Sequence, residues 1–302
     1  MLVNHQEQFV TLPNDVQLCY STHGDPAHQT IVLIAGLGLQ MVYWPAALVD
    51  RLVADGFHVV CFDNRDAGRS SRATTPHPDK FQQIMRKAPE GAYCLTNMAE
   101  DTALLLEHLN VKQAHIVGMS MGGMIAQTLA IHHPDKVASL TSIFSTTGKR
   151  NVGQPSLSTI WRIMRAKAPR TEQDAVNNYS DMMRHIGDPT RPNAQDAWRK
   201  YSSLAWVRNG QKADPKAVFR QIGAIIKSGN RTRNLNQLTI PSLVIHGDKD
   251  PMVHPSGGKA TAEAIPNATY HVLEGMRHQI DEHQSHRLAQ LILTHANSTQ
   301  GG

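Results

Sequence analysis

A serine hydroxyl is a weak nucleophile until something holds it exposed beside a base. The stretch His115-Ile-Val-Gly-Met-Ser-Met-Gly-Gly-Met-Ile-Ala-Gln is built to do so. Ser120 sits at the centre of G-x-S-x-G, after a β-branched apolar run and before a helical segment reaching His133, where Pro134 stops it. A tight strand-to-helix turn lifts the hydroxyl off the sheet edge in a strained conformation. Strand and helix then approach so closely that only small residues fit at Gly118 and Gly122, and Gly123 and Ala126 extend that approach.

The chemistry also needs a base and an orienting acid. His278 follows the last strand run and the turn at Gly275, which makes it the base; His271 and His283 are its nearest competitors. The acid must reach the distal ring nitrogen and fix its tautomer. Asp248 and Asp250 share one loop after an apolar strand run, and both are candidates for that role.

The elements that must position these groups alternate. Phe9–Leu12 and Val16–Tyr20 flank Pro13-Asn14-Asp15 as an antiparallel hairpin. Ile31–Ala35, Val59–Phe62, His115–Val117, Leu140–Phe144, Leu243–His246 and Thr269–Leu273 are short apolar runs. Amphipathic segments separate most of them, the clearest being Asn97–Leu109 with Asn97 as its cap and Glu100 three residues on. Such alternation predicts an α/β fold whose mostly parallel sheet carries helices on both faces. The strand pattern stops near Thr147 and resumes near Leu238. Residues 148–233 hold three of the four tryptophans, and Pro155, Pro169, Pro189, Pro192 and Pro215 cut them into short helical pieces. They read as a helical cap inserted into a core made of residues 1–147 and 234–302, with a frayed tail from Asn297.

Together these motifs resemble the α/β-hydrolase family. Ile31-Val-Leu-Ile-Ala-Gly-Leu-Gly is similar to its oxyanion-loop strand, and Phe62-Asp-Asn-Arg-Asp-Ala-Gly-Arg-Ser to its D-x-R-G-x-G-x-S turn. Val244-Ile-His-Gly-Asp-Lys-Asp-Pro resembles the acid loop and Glu274-Gly-Met-Arg-His the histidine loop. The variant turn and the Gly-rich loop ending in Trp44-Pro45 most resemble the esterase branch that includes aclacinomycin methylesterase. The resemblance implies an eight-stranded, mostly parallel sheet and the order Ser120, Asp250, His278 for nucleophile, acid and base. Its spacing from Gly247 favours Asp250, leaving Asp248 a loop-capping role. The Met121 N–H at a helix N-terminus supplies one oxyanion donor, and the Leu37 N–H after Ile31–Ala35 the second. Asp63, Arg65, Asp66 and Arg69 are expected to pin their turn.

Composition excludes other classes. Among 302 residues 18% are charged and 40% apolar, with 21 glycines besides, so the chain can bury a large core. Thirty basic against 25 acidic residues leave +5, but the densest groups, Arg65–Arg72 and Arg162–Arg170, are interrupted by other residue types. That pattern fits a solvated surface, with neither nucleic acid nor membrane as a partner. Gly36-Leu-Gly-Leu-Gln-Met lacks the third glycine of a dinucleotide turn, and no histidine pair has metal-ligand spacing with a third partner. Neither a cofactor nor a metal is expected. Three sparse cysteines and a start without a basic, apolar leader point to a cytoplasmic protein, monomer or homodimer.

The functional expectation is a serine hydrolase of carboxylic esters, with activity rising as the histidine base loses its proton. A lactonase, amidase, C–C bond hydrolase or acyltransferase can use the same triad, and a non-catalytic ligand-binding relative is the reading outside the enzyme class. Met41, Trp44, Trp161 and Trp206 are the expected substrate contacts.

Overall fold

Each period in the sequence becomes the element it demands. The computed structural model describes residues 6–299. Its strands are β1 Gln8–Thr11, β2 Gln17–His23, β3 Thr30–Ile34, β4 His58–Phe62, β5 Ala114–Met119, β6 Val137–Ile143, β7 Ser242–Gly247 and β8 Thr269–Leu273. The helices are α1 Ala46–Ala54, α2 Lys80–Ile84, α3 Leu95–His108, α4 Met121–His132, α5 Leu157–Arg165, α6 Glu172–Ile186, α7 Ala194–Arg208, α8 Pro215–Ser228, α9 Thr232–Leu235, α10 Ser256–Ala264 and α11 Glu282–Ser298.

All eight strands form one sheet in the order β1-β2-β4-β3-β5-β6-β7-β8. The hairpin strand β2 runs antiparallel to β1 and β4, and the remaining pairs are parallel. The period of two divides the core. Val32, Ile34, Val60, Phe62 and Ile116 face Leu105 of α3 and Ile125 and Leu129 of α4. Ile31, Leu33, Val59, Cys61, Val117 and Met119 face Leu48 and Leu52 of α1 and Leu288 and Ile292 of α11. With both faces covered, β3, β4, β5 and β7 are buried along their whole length.

Several boundaries differ from the sequence reading: β2 extends to His23, β6 starts at Val137, and two helix ends move as well. Helix α3 starts at Leu95 with Cys94 as its cap, and the Asn97 side chain reaches back from the third helical position to accept the Cys94 N–H at 2.9 Å. A capping box can close from within the helix, so the cap-type side chain stood three residues inside the true start. At the other end α11 continues through Asn297 to Ser298, because Leu293 and Ala296 still bury against the core. The rest of the expected tail, residues 300–302, and the first five residues lie outside the described residues.

Helices α5–α9 all stand between β6 and β7. Pro215 opens α8 at a position where the missing N–H costs nothing, and Asp214 caps it through the Ala217 N–H at 3.1 Å. The turn after β4 pins itself as expected: Asp63 accepts the N–H groups of Met41 and Arg69 at 2.7 and 2.8 Å, and Asp66 accepts that of Ala73 at 3.0 Å. It also reaches further. Asp63 pairs with Arg208 of α7 at 2.9 Å, Asp66 with Arg220 of α8 at 2.6 Å, and Arg65 with Asp101 of α3 at 2.5 Å. The first two pairs are buried and bind the inserted helices to the core.

Beneath the sheet, His115 of β5 contacts Ser139 Oγ at 2.9 Å and Gln29 Oε1 at 3.3 Å. Burial, with His295 nearby, lowers its pKa from 6.5 to about 4. An unfolded chain takes up that proton below 6.5 and the native one only near 4. In this window the unfolded state binds more protons, so stability falls as pH falls. We expect the drop to amount to roughly 2 kcal/mol and to be flattened in His115→Gln, measured by urea unfolding at stepped pH.

Candidate active site

Ser120 occupies the turn between β5 and α4 with φ 54° and ψ −119°, a left-handed conformation that a side-chain-bearing residue adopts at a cost. Close packing holds it there. A Cβ on Gly118 would collide with the Gly122 carbonyl, and one on Gly122 with that of Ile34. The Ser120 N–H donates to Ile143 O at 2.9 Å, and Ser145 Oγ donates to Ser120 O at 2.7 Å.

Residues 120, 250 and 278 converge. His278 Nε2 stands 3.1 Å from Ser120 Oγ, and His278 Nδ1 stands 2.7 Å from Asp250 Oδ2. The second oxygen of Asp250 accepts the N–H groups of Met252 and Val253 at 2.8 and 2.9 Å. Burial alone would raise the Asp250 pKa. The charge of His278 and hydrogen bonds from His246, His278 and the Val253 N–H outweigh it and hold the carboxyl well below the usual carboxylate range. Asp248 is not part of this group: its Oδ1 accepts the Gly275 N–H at 2.6 Å and shapes the histidine loop. The Phe144 ring covers the imidazole at 4.5 Å between centroids, from the end of β6.

The loop after β3 lies against the nucleophile, since a Cβ on Gly36 would stand 3.3 Å from that of Ser120. Met121 is the first residue of α4, where backbone N–H groups have no partner within the helix. Leu37 follows Gly36, and the N–H groups after it are occupied. Gly38 N–H donates to Gln221 Oε1 at 2.8 Å, Leu39 N–H to Gly36 O at 3.2 Å, Gln40 N–H to Tyr201 Oη at 3.1 Å and Met41 N–H to Asp63. Gln221 also donates to Arg65 O at 2.9 Å, and Arg208 bonds Gln40 Oε1.

Helices α7 and α8 therefore hold this loop, while α5 and α6 touch the acid and histidine loops. Thr159 donates to Pro251 O at 3.0 Å beside Asp250, and the His278 N–H donates to Ile186 O at 2.9 Å. Sequence reasoning missed Gln221, Tyr201, Arg208 and Ser145. Nothing local marks them, because their partners lie 25 to 183 residues away.

The expected substrate contacts are dispersed. Trp44 and Met41 are enclosed in the core with Leu48, Met119 and Phe144, where apolar volume fills the space under the loop. Trp206 is buried on α7. Trp161 is turned outward on α5 with the Arg165 guanidinium over its ring at 4.5 Å, so the structure does not gather the four into one site.

Sheet order, strained serine turn and convergent side chains define a hydrolase architecture. The model of the α/β hydrolase fold matches residues 29–280, and the chain belongs to that family. It is 28% identical to rhodomycin D methylesterase DnrP of Streptomyces peucetius, over 94% of this chain and 96% of that protein. It is 25% identical to 3-oxoadipate enol-lactonase 2 of Acinetobacter baylyi, over 86% of each. The crystal structure of esterase RhEst1 from Rhodococcus sp. ECU1013 superposes with a TM-score of 0.73 at 20% identity, covering 97% of this chain and 99% of that one.

Proposed function

We propose that this protein is a serine hydrolase that cleaves carboxylic esters through an acyl-enzyme. The observation that carries the reading is the continuous contact from Ser120 Oγ through His278 to Asp250, at 3.1 and 2.7 Å. His278 Nε2 takes the Ser120 proton as Oγ attacks the acyl carbon, and Asp250 holds the ring in the right tautomer and stabilises the imidazolium. The N–H groups of Met121 and Leu37 stabilise the oxyanion. His278 then gives the proton to the leaving alcohol, and a water that it activates releases the acid. The α5–α9 helices act as a cap over the site. Three unpaired thiols support a reducing, cytoplasmic setting, and no helix among the described residues is long and apolar enough to cross a membrane.

The same machinery opens a lactone, and likeness to an enol-lactonase over most of both chains favours that second reading. A panel of short-chain aryl esters, five-membered lactones and anilides separates them. Ester turnover with much slower anilide cleavage is expected; no ester or lactone turnover above buffer contradicts the proposal.

Gln221 is assigned a positioning role, because it holds Gly38 one residue beyond Leu37. Gln221→Leu leaves that N–H unpaired and lets the loop shift. We expect kcat to fall roughly 10- to 100-fold with KM nearly constant, and Gln221→Glu to recover part of it. A rise in KM with kcat unchanged would mean that the residue merely supports binding.

A further inference from the structure

Helices at a protein surface turn their apolar stripe inward. Helix α5 does the reverse. Leu157, Ile160, Trp161 and Met164 follow the i, i+3, i+4, i+7 spacing and are all exposed, Leu157 by 86% and Trp161 by 57%. The buried side is polar: Thr159 is fully enclosed and bonds Pro251 O, to which the Ser156 N–H also donates at 2.9 Å. Helix α2 repeats the inversion. Phe81, Ile84 and Met85 are exposed while Gln82 and Gln83 are half-buried, and Gln83 donates to Pro78 O at 3.1 Å.

Both helices stand at the carboxyl end of the parallel strands. Helix α5 is seated on Pro251, just after β7. Helix α2 follows Pro78, which packs so closely on Gly223 of α8 that a Cβ there would stand 2.8 Å from the proline ring. Cations outnumber carboxylates around both stripes: Asp79 and Glu90 flank α2, and Asp181 of α6 pairs with Arg162 of α5 at 2.8 Å. Exposed Arg165, Lys167 and Arg170 follow the α5 stripe, exposed Lys80, Arg86 and Lys87 bracket that of α2, and no carboxylate occurs from residue 157 to residue 170.

We propose that α5 and α2 dock this protein on an anionic lipid–water interface. Their apolar side chains enter the headgroup boundary and the flanking cations pair with lipid phosphates. Charge decides between this occupant and a second copy of the chain. Two copies of a chain with net charge +5 would meet stripe to stripe against their own repulsion, whereas an anionic bilayer satisfies stripe and cations together. The proposal replaces the expectation of no membrane partner, which rested on scattered charge and could not register which way the stripes face. It is independent of the ester-hydrolase reading.

Trp44, Trp198 and Trp206 are 0, 2 and 8% exposed, so a lipid-induced shift of tryptophan emission reports on Trp161. The full-length protein is mixed with phosphatidylcholine vesicles with and without phosphatidylglycerol. The expected result is co-sedimentation and a blue shift on the phosphatidylglycerol vesicles, weakened by salt. Partitioning should fall about 10-fold or more in Leu157→Gln/Ile160→Gln and roughly 5-fold in Arg165→Gln. An unchanged thermal midpoint shows that these exposed substitutions leave the fold intact. Absence of vesicle binding, or equal binding to phosphatidylcholine alone, overturns the proposal. So does self-association in sedimentation velocity that the α5 double substitution abolishes.

Discussion

Ser120→Ala is expected to lower kcat for a short-chain aryl ester by about 10⁵-fold while leaving the fold intact. The size follows from what is removed. No other hydroxyl is held in the strained turn between β5 and α4 with an imidazole nitrogen 3.1 Å away, and without it only bound water and the oxyanion donors remain to act on the acyl carbon. The turn itself should survive, because it is fixed by Gly118 and Gly122 and by bonds to the Ser120 backbone, all indifferent to Oγ. A steady-state assay with an active-site titration to exclude wild-type contamination measures the effect. A variant retaining a tenth of the rate would place the nucleophile elsewhere.

Asp250→Asn ranks next, at about 10⁴-fold in kcat. In the native site one carboxylate oxygen accepts from Met252 and Val253 and the other faces His278 Nδ1 at 2.7 Å. An asparagine that keeps the backbone bonds through its carbonyl turns its NH₂ toward the imidazole. Nδ1 must then accept, the ring proton moves to Nε2, and Nε2 donates to Ser120 where it should take a proton. Affinity for a competitive, non-reacting product acid should change less than 3-fold, by about 0.6 kcal/mol at most, since the pocket walls are untouched. Similar losses in affinity and rate would indicate a collapsed loop. Because the native carboxyl is held far below its ordinary range, it stays ionised in mild acid, and any fall in activity there has another origin.

The legible parts of the molecule were those written locally. G-x-S-x-G bounded by a strand and a helix fixes the serine turn through steric contact between neighbours in sequence, and alternating short strands and amphipathic segments fix a covered parallel sheet. The base could be named because it follows the last strand and a glycine turn; the acid stayed open between Asp248 and Asp250 until the family resemblance set its spacing from Gly247. Couplings across the fold left no such record. Gln221 meets Gly38 across 183 residues, Tyr201 meets Gln40 across 161, and Arg208 meets Asp63 across 145. Asp63 and Asp66 looked like turn residues, and half of their role is to anchor α7 and α8. Trp44 and Met41 follow a loop near the nucleophile, yet core volume draws them inward. The stripe on α5 has the period of a buried helix, and only its exposure in the fold, with Thr159 enclosed and bonded to Pro251, shows that it faces out.

The account rests on Ser120 becoming covalently acylated through His278. Rapid acid quench of the enzyme with an aryl acetate, followed by peptide mass analysis, reads this directly. One acetyl group on the peptide containing Ser120, accumulating in a burst and absent in His278→Ala, is the predicted result. Turnover with no acetyl on Ser120 at any quench time, or with the label on another residue, would contradict it.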